Sequence, residues 1–588
     1  MKTKIISMLF AMVLVIAMLA SCGGNGDNGG NNGGNNNGGG GNNAPVVNIP
    51  DNAPSYGVTW EKTKILFELT KNDSAGELTS GCERYYAGTA ANAFDPIDTD
   101  VRNRNLAAAK QANVEPDYSY VDQDAGWGAN IGRISTQAAL ENSAYPDIYC
   151  NFAYDLTSAQ LKGCFANLLD TSYDGGNWFR FTESDYNPTS DNYFDSEAGE
   201  GYFYQYMQSL SLSDDKIYCL ASNYCTDTVR SFLVVPVNVA MFESIQSSDH
   251  YLDTIDNITS FYDLVWRDTA TNEKYAEGWT YNVLAWYGNK VYVDDTQNDN
   301  PFADTVAFAA GTTSGLVSSG ILYTSSVKII DKQPKGDGTY TFTYPENNTN
   351  LNEFASALQM LFGANKPAGI ITVDQADAKA FDNSGTELIA IRKQFAEDKI
   401  LFGGIIAVGS LEESVYQDMR TEGSGFGVLP VPLYRSTYVD EKTGETKAED
   451  YLTLVHNTAR IIAIAKGTTD FAQCSAFLDY NSRMSADILD EYYNGTLVAA
   501  TGGLNGNANK MMLTYIRNHV RDCFDKTFED AVSAKMGITD SSATANKWHE
   551  VLSQNDFNYP DFSTQYTSLR GEKEEALGKV LAEWMSWQ

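Results

Sequence analysis

The chain carries four histidines, His250, His456, His519 and His549, and none stands close in sequence to a partner that would make it catalytic or metal-binding. There is no HExxH pair to present two imidazoles on one helix face. Gly311-Thr312-Thr313-Ser314-Gly315 comes near a nucleophile elbow, but its serine falls one place late for GxSxG. Gly423-Ser424-Gly425-Phe426-Gly427 precedes an apolar run instead of opening a helix, which argues against a dinucleotide turn. Asp294 to Asn300 alternates oxygen donors, yet it lacks the glycine and the distal glutamate of a calcium loop and reads as a solvated turn. No Walker loop occurs. A carboxylate pair for glycoside hydrolysis need not be close in sequence, so that chemistry stays open. Beyond Cys22 there are Cys82, Cys150, Cys164, Cys219, Cys225, Cys474 and Cys523, whose spacings fit no CxxC metal pattern. Their odd number leaves at least one unpaired within the chain, and Cys150, among apolar neighbours, reads as a small buried hydrophobe. No catalytic residue, metal or cofactor is called. The chemistry that remains is binding.

The elements that would position binding groups alternate between strand and helix. Lys64 to Leu69 is a β-type run, Asp100 to Asn113 a helix, and Tyr118 to Val121 a second strand. Ile131 to Asn142 has helical spacing, and Pro146 to Tyr149 gives a third strand. That alternation implies a parallel sheet covered on both faces. Lys216 to Leu220 and Ser231 to Val235 read as a β pair, followed by a short helix at Asn238 to Ser244. Further on come a helix at Glu387 to Asp398, strands at Gly425 to Pro430 and Ala459 to Ala465, and a helix at Phe471 to Asn481. Residues 571–588 close the chain as a helix with an apolar stripe through Leu577, Val580, Leu581, Trp584 and Met585.

The N-terminus is of a different kind. Lys2 and Lys4 precede an apolar run from Ile5 to Ala20, broken only by Ser7 and shorter than the ~20 residues of a membrane span. Its end, Leu19-Ala20-Ser21-Cys22, resembles the lipobox of bacterial lipoproteins. The resemblance implies cleavage of a signal over residues 1–21 and a lipid on Cys22, hence a protein held at the extracytoplasmic side of a membrane. Residues 23–43 are only glycine, asparagine and one aspartate, with nothing to bury, so 22–58 reads as a disordered tether. The rest is too long for one ordinary core and, at 43% hydrophobic residues without another long apolar run, reads as soluble and globular. A formal charge of −35 argues against nucleic acid as a partner.

The order of motifs resembles the family 1 extracellular solute-binding proteins, the lipoprotein receptors of ABC importers. Arg104 to Ala109 is similar to that family's first helix, Tyr145-Pro146-Asp147-Ile148-Tyr149 to its xPDI strand, and Asp214 to Tyr218 to its xGKxY hairpin. Val235 to Asn238 lies where xxxNK falls, without the lysine, and Gly425 to Pro432 resembles xxGxxPxP. The resemblance implies an α/β, two-lobed periplasmic-binding-protein-like fold (type II), with ligand in a cleft between lobes joined by crossovers. The N-lobe would take 59–220 plus 436–495 and the C-lobe 226–430 plus 500–588, with crossovers near 221–225, 430–435 and 496–499. Segments 171–200 and 328–350 look like insertions, the first loop-like and aromatic, the second a hairpin with Tyr340 to Tyr344 as a strand.

In that family, ligand groups come from loops at the carboxyl ends of strands. Sugars need aromatic faces for their C–H surfaces and polar side chains for their hydroxyls. The resemblance therefore points to Tyr85 and Tyr86 after the first strand, and to Asn151, Tyr154 and Asp155 after the third. It points further to Asn223, Tyr224 and Asp227 at the first crossover, to Thr312 and Thr313, and to Trp548 as a stacking ring. With 35 tyrosines in the chain, any one of them is more often packing than contact. The expected function is a monomeric, lipid-anchored receptor that passes a small solute, a carbohydrate or oligosaccharide, to an ABC permease without breaking a bond. Its rivals are a surface glycoside hydrolase and a scaffold or adhesion lipoprotein.

Overall fold

The computed structural model describes residues 47 and 49–587, apart from 72–85, 89–95, 123–127, 182–200, 214, 246–259, 269–272, 275–277, 296–303, 338, 347–348, 383–385, 414–415, 417–418, 420–424, 440–442, 498–505, 522–523, 537–546, 554–556 and 558–561. The signal run, Cys22 and most of the tether, together with Tyr85, Cys82 and Cys523, lie outside the described residues. Among the described residues no helix is long and apolar enough to cross a membrane.

Two sheets organise the body. The first is built from β1 (Thr63–Lys71), β2 (Val114–Asp122), β3 (Ile148–Phe152) and, much later in the chain, a returning strand at Arg460–Ile464. The spatial order is Arg460–Ile464, β3, β1, β2. β1 runs parallel to β2 and β3, and the returning strand is antiparallel to β3. Three helices join these strands: α1 (Pro96–Ala112) leads into β2, α2 (Ile131–Gln137) precedes β3, and α3 (Ala153–Gln160) follows it. A parallel pair cannot be joined by a tight turn, and α1 supplies the crossover from β1 to β2. β3 is buried at every position, as a strand covered on both faces should be.

The second sheet holds β4 (Leu233–Asn238), β5 (Val306–Gly311), β6 (Ile370–Val373), β7 (Ile400–Phe402), β8 (Ile406–Ala407) and β9 (Phe426–Leu429). Their order is β6, β5, β7, β4, β8, with β9 also pairing β4. β5 is parallel to both β6 and β7, whereas β4 is antiparallel to β7, β8 and β9. Two helices of this half matter for the site, α5 (Gly315–Tyr323) directly after β5 and α6 (Glu387–Ala396); the short α4 (Thr226–Arg230) leads into β4. With the returning strand named β10, the mixed α/β fold has two large sheets among the described residues, beside three two-stranded ones.

One expected pairing does not form. Lys216 to Leu220 makes no strand with 231–235; Leu220 bridges Ile462 of β10 instead, while Leu233–Asn238 belongs to the other sheet. The two segments have similar β-type composition, and only their tertiary neighbours separate them. The expected hairpin near 328–350 is present, Asp331–Pro334 pairing antiparallel with Tyr340–Thr343. After β10 come α7 (Phe471–Arg483), α8 (Phe524–Thr527), α9 (Glu529–Lys535), α10 (Trp548–Ser553) and α11 (Phe562–Met585). Among the described residues, Cys150, Cys164, Cys219, Cys225 and Cys474 are buried and joined by no disulfide.

Candidate functional site

A cavity of about 370 Å³ lies where chain leaving β3 meets chain leaving β5. It draws Tyr154 from the start of α3, Ser314 to Leu316 from the start of α5, and His456 to Thr458 from the approach to β10. The C-terminal helices close it with Lys526, Asp530, Lys547, His549 and Glu550, and α6 adds Leu388. A concave site at the carboxyl ends of parallel strands is where open α/β sheets hold ligands.

Backbone bonds fix the first wall. Ala153 N–H donates to Ala459 carbonyl at 2.8 Å and Tyr154 N–H to Asn457 carbonyl at 3.1 Å, so the end of β3 and the approach to β10 move as one. Gly128 has φ +80°, and a Cβ there would lie 3.1 Å from the Tyr154 hydroxyl, so only glycine leaves that ring its place. His456 Nδ1 and Thr458 Oγ1 are 2.9 Å apart. Burial first, then the neighbouring Lys526 and His549, hold the His456 imidazole down to about 3, so it is neutral.

The second wall is set by Glu387 of α6. Its carboxylate accepts the Thr313 N–H at 3.1 Å and the Thr313 hydroxyl at 2.6 Å, clamping the turn between β5 and α5. A Cβ on Gly311 would stand 2.7 Å from that carboxylate, so glycine is needed for the clamp to close. Burial raises the Glu387 carboxyl.

The third wall is a charge network whose inner members, Lys526, Glu529 and His549, are almost unexposed, while Lys547 and Glu550 reach partly into solvent. Glu529 accepts the Trp548 N–H through Oε1, and its Oε2 lies 2.7 Å from His549 Nδ1. Burial alone would raise Glu529, but His549, Lys526 and Lys573 outweigh it and hold the carboxyl well below its usual range. Lys547 reaches Asp530 at 2.5 Å and Glu550 at 3.4 Å. The Lys547 ammonium is held above its ordinary value, Asp530 outweighing its burial, while burial raises the Glu550 carboxyl. Tyr154 is pushed up to about 12 by burial and by Asp530.

Of the residues expected from the sequence, Tyr154 lines this cavity. Thr312 and Thr313 sit in the turn beside it and serve the clamp and the bond to Val373 carbonyl. Tyr86 and Tyr224 turn into the core, because the Tyr224 hydroxyl donates to Tyr86 carbonyl at 3.1 Å and the Tyr86 hydroxyl to Arg460 carbonyl at 3.0 Å. The Arg104 guanidinium lies 4.5 Å over the Tyr224 ring. Asn151 is fully buried on β3, where its side chain accepts the Phe152 N–H, and Asp155 is buried in the first turn of α3. Asn223 is buried, its N–H donating to Gly201 carbonyl. Asp227 is consumed by two buried arginines, Arg230 at 2.8 Å and Arg460 at 2.9 Å. Trp548 does not line the cavity: it is buried, 5.0 Å from Tyr566, with the Lys573 ammonium 4.7 Å from its ring.

The groups missed by sequence reasoning are the charged ones, above all Lys526, Asp530, Lys547 and Glu550. The only hint was the density of short, charged segments between 524 and 550, which looks the same as a solvated surface. Among the described residues, no three histidine, cysteine or acidic side chains gather as a metal site would require.

No protein-family model matches the chain, and no curated protein matches it. Among solved structures, the chain is similar to the GacH receptor of Streptomyces glaucescens, solved unliganded and with acarbose, at 11% identity over 89% of this chain and 99% of that one, with a TM-score of 0.43. It is also similar to an ABC transporter solute-binding protein of Thermotoga lettingae bound to α-D-tagatose (9% identity, 88% and 100% covered, TM-score 0.46). A third is the galacto-N-biose/lacto-N-biose I-binding protein of an ABC transporter from Bifidobacterium longum, in complex with lacto-N-biose (13% identity, 90% and 99% covered, TM-score 0.43).

Proposed function

We propose that this chain is a lipid-anchored, extracytoplasmic solute-binding receptor of the family 1 type, which captures a small carbohydrate and delivers it to an ABC permease. The observation that carries the reading is a cavity built jointly from the ends of β3 and β5, one strand from each sheet. A ligand held there touches both halves, so its binding free energy favours the state in which they are closed together, and that state is the signal a permease would read. Neutral hydrogen-bonding groups, carboxylates, ammonium groups and one half-buried tyrosine ring share the lining, the mixture a polyhydroxylated ring requires. The volume lies near the lower end of the ~300–1,000 Å³ of ligand sites and suits a short saccharide over a long chain. The sequence supports the rest: Cys22 as the lipid site, 22–58 as tether, N-lobe 59–220 plus 436–495 and C-lobe 226–430 plus 500–588, acting as a monomer.

A hydrolase would need a free carboxylate pair in this cavity. Asp530 and Glu550 both engage Lys547, which supports binding over hydrolysis. Calorimetry of the chain from Cys22 onward against a saccharide panel, with product analysis of each mixture, tests the proposal. Saturable binding with unchanged sugar supports it, turnover overturns it in favour of a hydrolase, and no heat with any sugar removes the carbohydrate reading.

A further inference from the structure

The charges around the cavity balance in number but not in hydrogen bonding. Lys526, Lys547 and Lys573 face Glu529, Asp530 and Glu550. Lys547 is held by Asp530 and Glu550, and the Lys573 ammonium rests on the Trp548 ring and near the Ser533 hydroxyl. Both oxygens of Glu529 are already used by the Trp548 N–H and by His549. Lys526 is left with Glu529 at 3.8 Å, beyond hydrogen-bond reach, although its side chain is only 4% exposed. Its other neighbour is the Tyr323 ring, 5.9 Å away, so this ammonium is ion-paired without being hydrogen-bonded to the protein, and it gains from an acceptor that arrives from outside. The cavity it lines is the route by which one can.

Two further features favour an anion as that acceptor. The first turn of α5, Gly315 and Leu316, lines the same cavity, and its leading N–H groups have no intrahelical partner and carry the positive end of the helix dipole. His549 faces that turn, since a Cβ on Gly315 would lie 3.9 Å from its Nε2. The positive field is also felt by His456, whose proton is repelled by both Lys526 and His549. On the other side Lys547 pairs with both carboxylates and offsets one of their two charges.

We infer that the solute is an acidic saccharide, one whose carboxylate is received by Lys526 and the first N–H groups of α5. This rests on the receptor reading above and adds to it the class of sugar. A formal charge of −35 would repel such a ligand at long range, but the screening length is about 8 Å at physiological ionic strength, so the local cation decides binding.

The test is calorimetry of the chain from Cys22 onward with matched neutral and uronic-acid disaccharides of the gluco, galacto and manno series. At least one uronate should bind tenfold or more tighter than its neutral counterpart. Lys526→Met should weaken that uronate by about 10–100-fold, the worth of a charge-assisted hydrogen bond, and Lys526→Arg should keep the preference. Should Lys526→Met fail to fold, the wild-type comparison at fixed ionic strength decides, through the tenfold preference for a uronate over its neutral counterpart. Neutral disaccharides that bind as well as their uronates overturn the inference while leaving the receptor intact. Absence of binding by either class overturns the carbohydrate receptor itself, and the inference with it.

Discussion

Replacing Asp227 with asparagine removes one charge and almost no volume, so it isolates what that carboxylate does. Its Oδ1 accepts from Arg230 at 2.8 Å and its Oδ2 from Arg460 at 2.9 Å, and all three side chains are at most 2% exposed. Arg230 retains Glu412 at 3.0 Å, which Tyr492 also contacts at 2.7 Å. Arg460 keeps the Thr70 carbonyl and the Phe152 ring among its contacts. Breaking a buried pair from one side costs about 3–5 kcal/mol, because the remaining charge stays out of water. With an unfolding slope of ~3 kcal/mol per M urea, that loss moves the midpoint down by about 1 M or more. The assay is urea unfolding followed by circular dichroism, run beside saccharide calorimetry on the same preparation. Asp227→Asn should lower the midpoint and leave the dissociation constant within a factor of two. A midpoint shifted by less than about 0.2 M, with affinity lost tenfold, would refute the reasoning and return Asp227 to the ligand site.

Tyr154→Ala should do the reverse, weakening saccharide binding by about tenfold, the worth of ~1–1.5 kcal/mol of ring contact, while the melting temperature moves only a few degrees. Tyr224→Ala should cost about 3–5 kcal/mol of stability and Tyr224→Phe only about 1, by differential scanning calorimetry; a ligand defect without instability would contradict its core position. His456 is held at about 3 against 6.5 when unfolded, so the unfolded chain binds the extra proton between these values. Its contribution is whole above pH 6.5 and is lost as pH falls toward 3, about 5 kcal/mol at most, and His456→Gln should flatten that acid limb in urea titrations. Asp479 has the opposite sign: burial raises it to about 6 from 3.8, so its stabilising contribution is present below 3.8 and disappears as pH rises through 6. Asp479→Asn should therefore remove about 3 kcal/mol of loss between pH 4 and pH 7, and an unchanged slope would show that the carboxyl is already solvated.

The elements were legible where a short-range pattern meets a long-range need. The run Ile148-Tyr149-Cys150-Asn151-Phe152 is apolar enough that only a strand covered on both faces can use it, and β3 takes that place. Helix α1 follows from periodicity and the buried stripe it creates, whereas α7 is buried on every side from Phe471 to Ser482, which periodicity alone does not foretell. Lys216 to Leu220 was misread because β-type composition names a conformation and not a partner; its neighbour is β10, more than two hundred residues on. The strand-end logic that selected Tyr154 also selected Asn151, Tyr224 and Asp227. Whether a strand-end residue turns toward a cavity or toward the core depends on what packs against it. For Tyr224 that is the Tyr86 carbonyl, and for Asp227 it is a pair of arginines, Arg460 coming from a strand far along the chain.

By itself the sequence determined the alternation of strands and helices, the acidic surface, the polar N-terminal segment and the scarcity of local catalytic motifs. These depend on composition and spacing over a few turns of chain. Tertiary structure decided which charges face the cavity. Lys526, Asp530, Lys547 and Glu550 look like surface residues until short C-terminal helices set them against the ends of β3 and β5. Burial then changes what a charge costs, and Lys526, which would be fully hydrated on the surface, sits in the cavity wall ion-paired with Glu529 at 3.8 Å and beyond hydrogen-bond reach of it.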